Sequence, residues 1–524
     1  MEIKMQSIHM NRVKCRNALR LTVDDDVNVP DNKPDVGTIV WRGASVRLNE
    51  KKLSGTRLLV KGSLLYRVLY LSEEEGTPVQ SMRGELAFDE SIELPEACSG
   101  DNITVRAEVE EFEAGLIHSR KIAIRALLGV MVQAEELHDV RAAIEFAEEA
   151  TVHTKKRTIP VTSIVADKKD TARLREELFL PSGKDGIGEL LYWELLLRNP
   201  EAKAKEDRLE AKGELSLFAL WKSAREEGIT ESYEANLPFH TEFEISGCRE
   251  GLIEDVVFRL NNEAVSVKAD EDGEDRVLEA EAVLEAELKL YEEKEMEVLS
   301  DLYATDAILT PVIQEEEYEN ILFKNDSRLR VTERLPLPEE LPGILQICRG
   351  AVEIKPDVCV REGENLRLSG TLEADLLYIS EEDDRPLLSY HRSLPFSHQI
   401  EVRGLTPESM YDVRCYVAEA SFGMVRNKEA ELKTELAFSV LAVENRKESV
   451  IVDTAREEFP PDYLEELPGM VGYTVKAEEK LWDIAKRYRV APEEIVRLTE
   501  HPGELREGDL LLISFFCLSQ GSEM

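Results

Sequence analysis

Apolar and polar residues alternate along most of this chain with a period of two, the pattern of β-strands that bury one face. In one run, Ile103, Val105, Ala107 and Val109 alternate with polar or charged neighbours. Acidic segments such as residues 72–76 separate neighbouring runs, as hairpin connections do. The pattern therefore predicts a mainly β protein.

The alternating pattern occurs in three copies. Residues 57–94, 208–245 and 365–402 align without gaps, and each copy carries a glycine, an aromatic residue and a phenylalanine at matching positions. Each copy is also preceded by a matching proline. The matching residues are Gly62, Gly213 and Gly370; Tyr70, Trp221 and Tyr378; Phe88, Phe239 and Phe396; and Pro30, Pro181 and Pro338.

Each repeat is long enough to form a hydrophobic core of its own. The sequence predicts three similar β-sandwich or barrel-like domains over residues 15–137, 165–292 and 322–443. The repeated aromatic residues are interpreted as core residues, in preference to a ladder of binding positions. Residues 138–165 and 293–322 are interpreted as linkers between the repeats. Residues 444–470 are predicted to be an acidic, proline-containing and extended linker.

The C-terminal segment changes to a helical period. Leu481, Ile484, Ala485 and Tyr488 follow the spacing i, i+3, i+4 and i+7, so they share one face of a helix. Pro492 suits the first turn of a second helix, because the N–H that it lacks would have no helical partner there. Short alternating runs before and after these helices predict two strands. Residues 471–514 are therefore expected to form a small βααβ domain.

This C-terminal pattern resembles a LysM module, whose relatives bind N-acetylglucosamine polymers or, in some cases, proteins. The resemblance rests on residues 473–476, 481–488, 492–498 and 506–513. Where the family has Gly-Asp-Thr or Gly-Asp-Ser before the first helix, this chain has Glu-Glu-Lys, and the usual Asn after the second helix is missing. A protein ligand is therefore favoured over a glycan. The residues expected to form the binding groove are Glu478, Glu479, Lys480 and Leu481 in the first loop, and Thr499, Glu500 and His501 in the facing loop.

The three repeats resemble the SPOCS repeat of spore-coat-associated proteins from anaerobic endospore formers. Residues 33–35 (Lys-Pro-Asp), the Leu-x-Phe strands and residues 301–303 (Asp-Leu-Tyr) carry this resemblance. Tandem SPOCS repeats followed by one LysM module are the layout of SipL-type spore coat morphogenetic proteins. The resemblance implies a role in the mother-cell cytoplasm, at the outer surface of the forespore. The implied partner is the coat morphogenetic ATPase or another coat protein. Repeat 2 departs from the family at 183–186.

The chain is strongly acidic, with 106 Asp and Glu residues against 65 Lys and Arg residues and a formal net charge of −41. This charge would repel phosphates along the whole body, so it argues against nucleic acid as a partner. It also argues against direct binding to an anionic membrane surface. A solvated surface is the simplest explanation of the acidity, and a basic partner surface is the alternative.

The remaining sequence signals indicate an intracellular protein without a membrane span. No secretory signal follows Met1, and the longest apolar run, residues 510–518, is too short to cross a bilayer. The seven cysteines are scattered and never form a C-x-x-C motif, which favours free thiols in a reducing compartment.

The sequence does not predict an enzyme, a cofactor or a metal site. Gly183-Lys184 is followed by Asp185 and not by the Ser or Thr of a Walker loop. His391 and His398 have no ligand cluster at metal spacing. We therefore expect a non-enzymatic scaffold of endospore coat assembly. The alternatives are a peptidoglycan- or N-acetylglucosamine-binding protein of the cell wall or spore cortex and, with little support, a wall hydrolase.

Overall fold

The computed structural model describes residues 3–72, 79–97, 100–146, 151–226, 228–382, 385–407, 409–460, 467–499 and 505–515. The prediction of a mainly β protein is confirmed: 20 strands and two helices lie in this part of the chain. The first 18 strands form a β body, and the remaining elements form a C-terminal module.

The β body contains three units of six strands. Unit 1 has β1 (Ile3–Asn28), β2 (Val36–Ser54), β3 (Arg57–Ser72), β4 (Val79–Glu93), β5 (Asn102–His118) and β6 (Lys121–Phe146). Unit 2 has β7 (Val152–Phe179), β8 (Ile187–Lys205), β9 (Arg208–Ser223), β10 (Thr230–Glu244), β11 (Ile253–Ala269) and β12 (Asp275–Ala304). Unit 3 has β13 (Ala307–Pro336), β14 (Ile344–Glu362), β15 (Asn365–Ser380), β16 (Leu387–Glu401), β17 (Met410–Arg426) and β18 (Glu429–Glu458).

The three units share one topology. In each unit, strands two, three and four form one antiparallel sheet, while strands one, six and five form the other. The strand orders are β1-β6-β5 with β2-β3-β4, β7-β12-β11 with β8-β9-β10, and β13-β18-β17 with β14-β15-β16. In unit 2, one hydrophobic cluster takes buried residues from both sheets, as a β-sandwich requires.

The repeated aromatic residues hold the same turn in every unit. Tyr70, Trp221 and Tyr378 are fully buried. Each donates a hydrogen bond to a backbone carbonyl 36 residues earlier in the chain. The acceptors are the carbonyl oxygens of Pro34 (3.1 Å), Asp185 (3.3 Å) and Pro342 (3.2 Å). These side chains thus have a structural role, because a buried hydroxyl or indole N–H needs a partner.

The segments expected to be linkers are largely strands. Residues 138–165 lie mostly in β6 and β7, and residues 293–322 lie mostly in β12 and β13. The linker expected at 444–470 is correspondingly shorter, because β18 continues to Glu458 and the next strand begins at Met470. Apolar residues at these strand ends also pack against residues of the other units. Consequently, the strands of each unit extend beyond the expected boundaries, and the three units pack against one another.

Besides a cluster around Ala143, Leu299 and Ile451, two further clusters join the three units. One contains Ile8 and Val140 of unit 1, Ile159 and Val298 of unit 2, and Val450 of unit 3, all buried at the extended strand ends. The second lies where the sheets β2-β3-β4, β8-β9-β10 and β14-β15-β16 meet. It contains the leucine that follows each repeat glycine by seven residues, namely Leu69, Leu220 and Leu377, each fully buried.

A buried guanidinium crosses the contact between units 2 and 3. Arg349 on β14 is only 2% exposed and forms ion pairs with Glu194 on β8 and Glu234 on β10. Its Nη2 lies 2.5 Å from Glu194 Oε2, and its guanidinium also stands over the Phe218 ring, 5.2 Å from the centroid. A guanidinium can remain charged at such a site because two carboxylates and a ring face surround it.

The C-terminal module follows the order β19 (Met470–Thr474), α1 (Leu481–Tyr488), α2 (Pro492–Thr499) and β20 (Leu510–Ser514). The two strands pair antiparallel. In the part of the chain that the structure describes, no helix has both the length and the apolar character needed to cross a membrane.

Candidate functional site on the C-terminal module

Most of the module's hydrophobic core comes from its own two helices and small sheet. Ile484 and Ala485 of α1 and Ile495 of α2 are buried against Leu511 and Ile513 of β20. In the strand, these two residues alternate with exposed neighbours, so one face of the small sheet packs on both helices. This core fixes the loop that connects β19 to α1, where the first half of the groove was expected.

Within that loop, Glu479 is held by a network inside the module. Its carboxylate accepts hydrogen bonds from Tyr473 Oη (2.7 Å), the backbone N–H of Lys476 (3.1 Å) and Arg487 Nη2 (2.9 Å). The hydrogen bonds from Tyr473 and the Lys476 backbone, together with the Arg487 guanidinium, lower the pKa of Glu479 to about 2. Glu479 is therefore a charged structural residue, although the sequence placed it in the binding surface.

The two neighbours of Glu479, Glu478 and Lys480, are exposed, and each occupies a backbone position that favours another residue type. Glu478 has φ +64°, in the left-handed region that costs most residues other than glycine about 1–2 kcal/mol. Lys480 occupies the N-cap of α1, and its side chain makes no capping hydrogen bond. Glu478 and Lys480 stand where the LysM pattern has its glycine and its threonine or serine. The backbone at Glu478 therefore suits the glycine of the family pattern.

Replacing Glu478 by glycine should stabilise the module by about 1 kcal/mol, because glycine adopts positive φ without a steric penalty. Hydrogen exchange of the α1 and β20 amides in the full chain should slow by about fivefold. Glu507 is an exposed glutamate of the same module without positive φ. A Glu507→Gly variant should not slow exchange. Equal exchange rates in Glu478→Gly and the unmodified chain would contradict the strain assigned to this position.

The remaining predicted groove residues fall into three groups. Leu481 is half-buried and packs against the module's core. Thr499 ends α2, and its hydroxyl accepts a hydrogen bond from the backbone N–H of Leu512 on β20 (3.1 Å). Glu500 and His501 lie outside the described residues. Within the first loop, Glu478 and Lys480 are therefore the predicted residues whose side chains face solvent.

The sequence did not anticipate the contact between the module and unit 2. Trp482 Nε1 donates to Asp301 Oδ2 (2.8 Å), and Lys486 Nζ lies 2.5 Å from Asp301 Oδ1. The Trp482 ring packs edge-on against Tyr303, with centroids 5.1 Å apart. The sequence singled out residues 301–303 only as a linker segment that carries the resemblance to the SPOCS repeat. The expectation of an extended tether is corrected, because the module rests on the end of β12.

The two histidines that were considered for metal binding have other partners. His391 Nδ1 lies 2.9 Å from Asp375 Oδ1. His398 stacks on the Phe438 ring and lies 3.0 Å from the hydroxyl of Ser327. Among the described residues, no group of three or more potential ligands is arranged to hold a metal ion.

A family model described as the SipL SPOCS domain matches residues 35–117 and 344–425. The two stretches cover corresponding parts of units 1 and 3, from the start of the second strand to near the end of the fifth. The chain is thus similar to a SPOCS repeat protein, which links it to sporulation. No curated protein and no solved structure matches the chain.

Proposed function

We propose that this chain is a non-enzymatic scaffold of endospore coat assembly, with three SPOCS-type repeats and a LysM-like module. The two family matches and the shared strand order of all three units support the repeats, including the divergent unit 2. The βααβ order supports the module assignment. In this proposal the module docks a coat morphogenetic protein, the coat morphogenetic ATPase being the first candidate, at the forespore surface.

The hydrogen bonds already made in the first loop favour a protein ligand over a glycan. A glycan groove of this type needs an open loop that offers backbone groups to sugar amides. Here Glu479 occupies the loop and already binds the Lys476 backbone N–H, Tyr473 and Arg487. Trp482, which could stack on a sugar, is engaged by Asp301 and Tyr303. Charged side chains on a rigid loop suit the polar rim of a protein interface.

The exposed loop residues give the test. Glu478→Lys combined with Lys480→Glu reverses both solvent-facing charges and leaves the Glu479 network intact. Purified coat morphogenetic ATPase should bind the double variant at least tenfold more weakly than the unmodified chain, because opposed charges at an interface become like charges. Surface plasmon resonance at low and high salt would measure the change.

Two controls separate this proposal from its alternatives. Glu457, near the end of β18, is exposed and lies outside the module. A Glu457→Lys variant should bind the ATPase normally. Co-sedimentation of the full chain with purified peptidoglycan tests the glycan alternative, and the chain should stay in the supernatant. Pelleting with peptidoglycan together with unchanged ATPase binding by the double variant would reject the docking role of the loop.

A further inference from the structure

We propose that the end of β12 is an intramolecular receptor for helix α1, which locks the C-terminal module onto the β body in one orientation. This inference concerns the protein's own architecture and does not depend on the proposed coat function. It rests on three separate anchors, each formed between a residue of the module and a residue in the strands that connect units 2 and 3.

The first anchor is the carboxylate of Asp301. Both of its oxygens are used by α1, one by the indole N–H of Trp482 and the other by the ammonium of Lys486. Burial alone would raise the pKa of Asp301, but the hydrogen bonds from Lys486 and Trp482 lower it below its ordinary value. The carboxylate is thus charged when docked, and charge-assisted hydrogen bonds are the stronger kind.

The second anchor is Tyr303, which is 2% exposed and belongs to the module's hydrophobic cluster. Its hydroxyl donates to the carbonyl oxygen of Val490, just after α1 (2.8 Å). One side of its ring meets Trp482, and His153 of β7 stacks against it with centroids 5.2 Å apart. A residue of unit 2 therefore completes the core of the module.

Arg489 forms the third anchor. Its Nη1 donates to the carbonyl oxygen of Ala307 at the start of β13 (2.8 Å). The guanidinium also lies over the Phe459 ring, 5.2 Å from the centroid, directly after β18. The module is thus held at both the first turn of α1 and the residue that ends it.

The contacts with the β body and the module's own core use two different faces of α1. Trp482, Lys486 and Arg489 follow the spacing i, i+4 and i+7 and contact the β body. Ile484 and Ala485 point into the module's own core. The hydrogen bonds of Glu479, in the loop before α1, all lie inside the module. Docking therefore covers one face of α1. It also fixes the orientation of the loop before α1 relative to the β body.

Oxidative footprinting of the full chain tests the lock, with the side chain of Tyr303 as the reporter. In the unmodified chain Tyr303 should be protected from hydroxyl radicals. Lys486→Met removes one partner of Asp301 from the surface of the module, where it cannot unfold β12. We expect oxidation of Tyr303 to rise at least fivefold in Lys486→Met and in Asp301→Ala, while Tyr318, buried in the β body, keeps its protection.

A double-mutant cycle decides whether the two residues act through one contact. If they do, the variant with both substitutions should expose Tyr303 no more than Asp301→Ala alone. Asp306 pairs with Arg456 within the β body, at 2.7 Å, and serves as the matched control. Asp306→Ala should leave Tyr303 protected. Unchanged protection of Tyr303 in both Lys486→Met and Asp301→Ala, or independent effects of the two substitutions, would overturn the proposal.

Discussion

Replacement of Arg349 by alanine is expected to destabilise the contact between units 2 and 3 by about 3 kcal/mol. The substitution removes a guanidinium that is 2% exposed and leaves Glu194 and Glu234 without their shared ion-pair partner. The full cost of an unpaired buried charge is not reached, because the side chains of these glutamates keep 27% and 41% of their exposure. Urea unfolding of the full chain would measure the loss.

The electrostatic part of this loss of stability can be separated from the part caused by the smaller side chain. Combining Arg349→Met with Glu194→Gln and Glu234→Gln removes all three charges of the ion cluster together and should recover much of the lost stability, because neither carboxylate loses its ion-pair partner. Arg403, whose side chain is 82% exposed, pairs with Glu401 and provides the surface comparison. Arg403→Ala should cost less than about 0.5 kcal/mol. An Arg349→Ala chain as stable as Arg403→Ala would contradict a structural role for this ion cluster.

Leu220→Ala should cost about 2–5 kcal/mol, as expected for a cavity at a fully buried leucine. Leu220 belongs to the cluster in which Leu69 and Leu377 take the corresponding places in units 1 and 3. The cavity therefore opens at a contact that all three units share. Thermal unfolding followed by circular dichroism should show the whole β body melting earlier.

The distribution of the effect is as informative as its size. Leu137 is 65% exposed and should tolerate alanine with little change in stability. Leu69→Ala and Leu377→Ala should each lower the same transition that Leu220→Ala lowers, because they line one cluster. A separate early transition confined to unit 2 would mean that the units unfold independently, and the shared cluster would then have no stabilising role.

The candidate site was predictable from the sequence only in its outline. The helical spacing of Leu481, Ile484 and Ala485 located α1, and the departure from the LysM loop drew attention to residues 478–480. The sequence did not predict which of these three residues is held by hydrogen bonds and which two face solvent. In a chain with 106 acidic residues, nothing in the sequence marks Glu479 as the one that binds three donors. The role of Glu479 depends on Arg487, which lies near the far end of α1 and reaches back to the Glu479 carboxylate.

The contact of the module with β12 was beyond the sequence for a related reason. Asp301 and Trp482 are 181 residues apart, and no local pattern records their pairing. The acidic, proline-containing segment between β18 and β19 favoured a tether. Composition predicts whether a free segment is extended, but it does not show whether the domains at its ends bind each other. Here Tyr303, Asp301 and Arg489 hold the module.

The sequence by itself determined the strands, the threefold repetition and the burial of Tyr70, Trp221 and Tyr378. Side-chain alternation and repeat spacing are local properties, so they can be read along the chain. Tertiary structure alone decided that the supposed linkers are strands, that three units share clusters around Leu220 and Val140, and that Asp301 receives α1. These outcomes depend on contacts between apolar faces or charges that lie far apart in the sequence. Such contacts form only when the chain has folded.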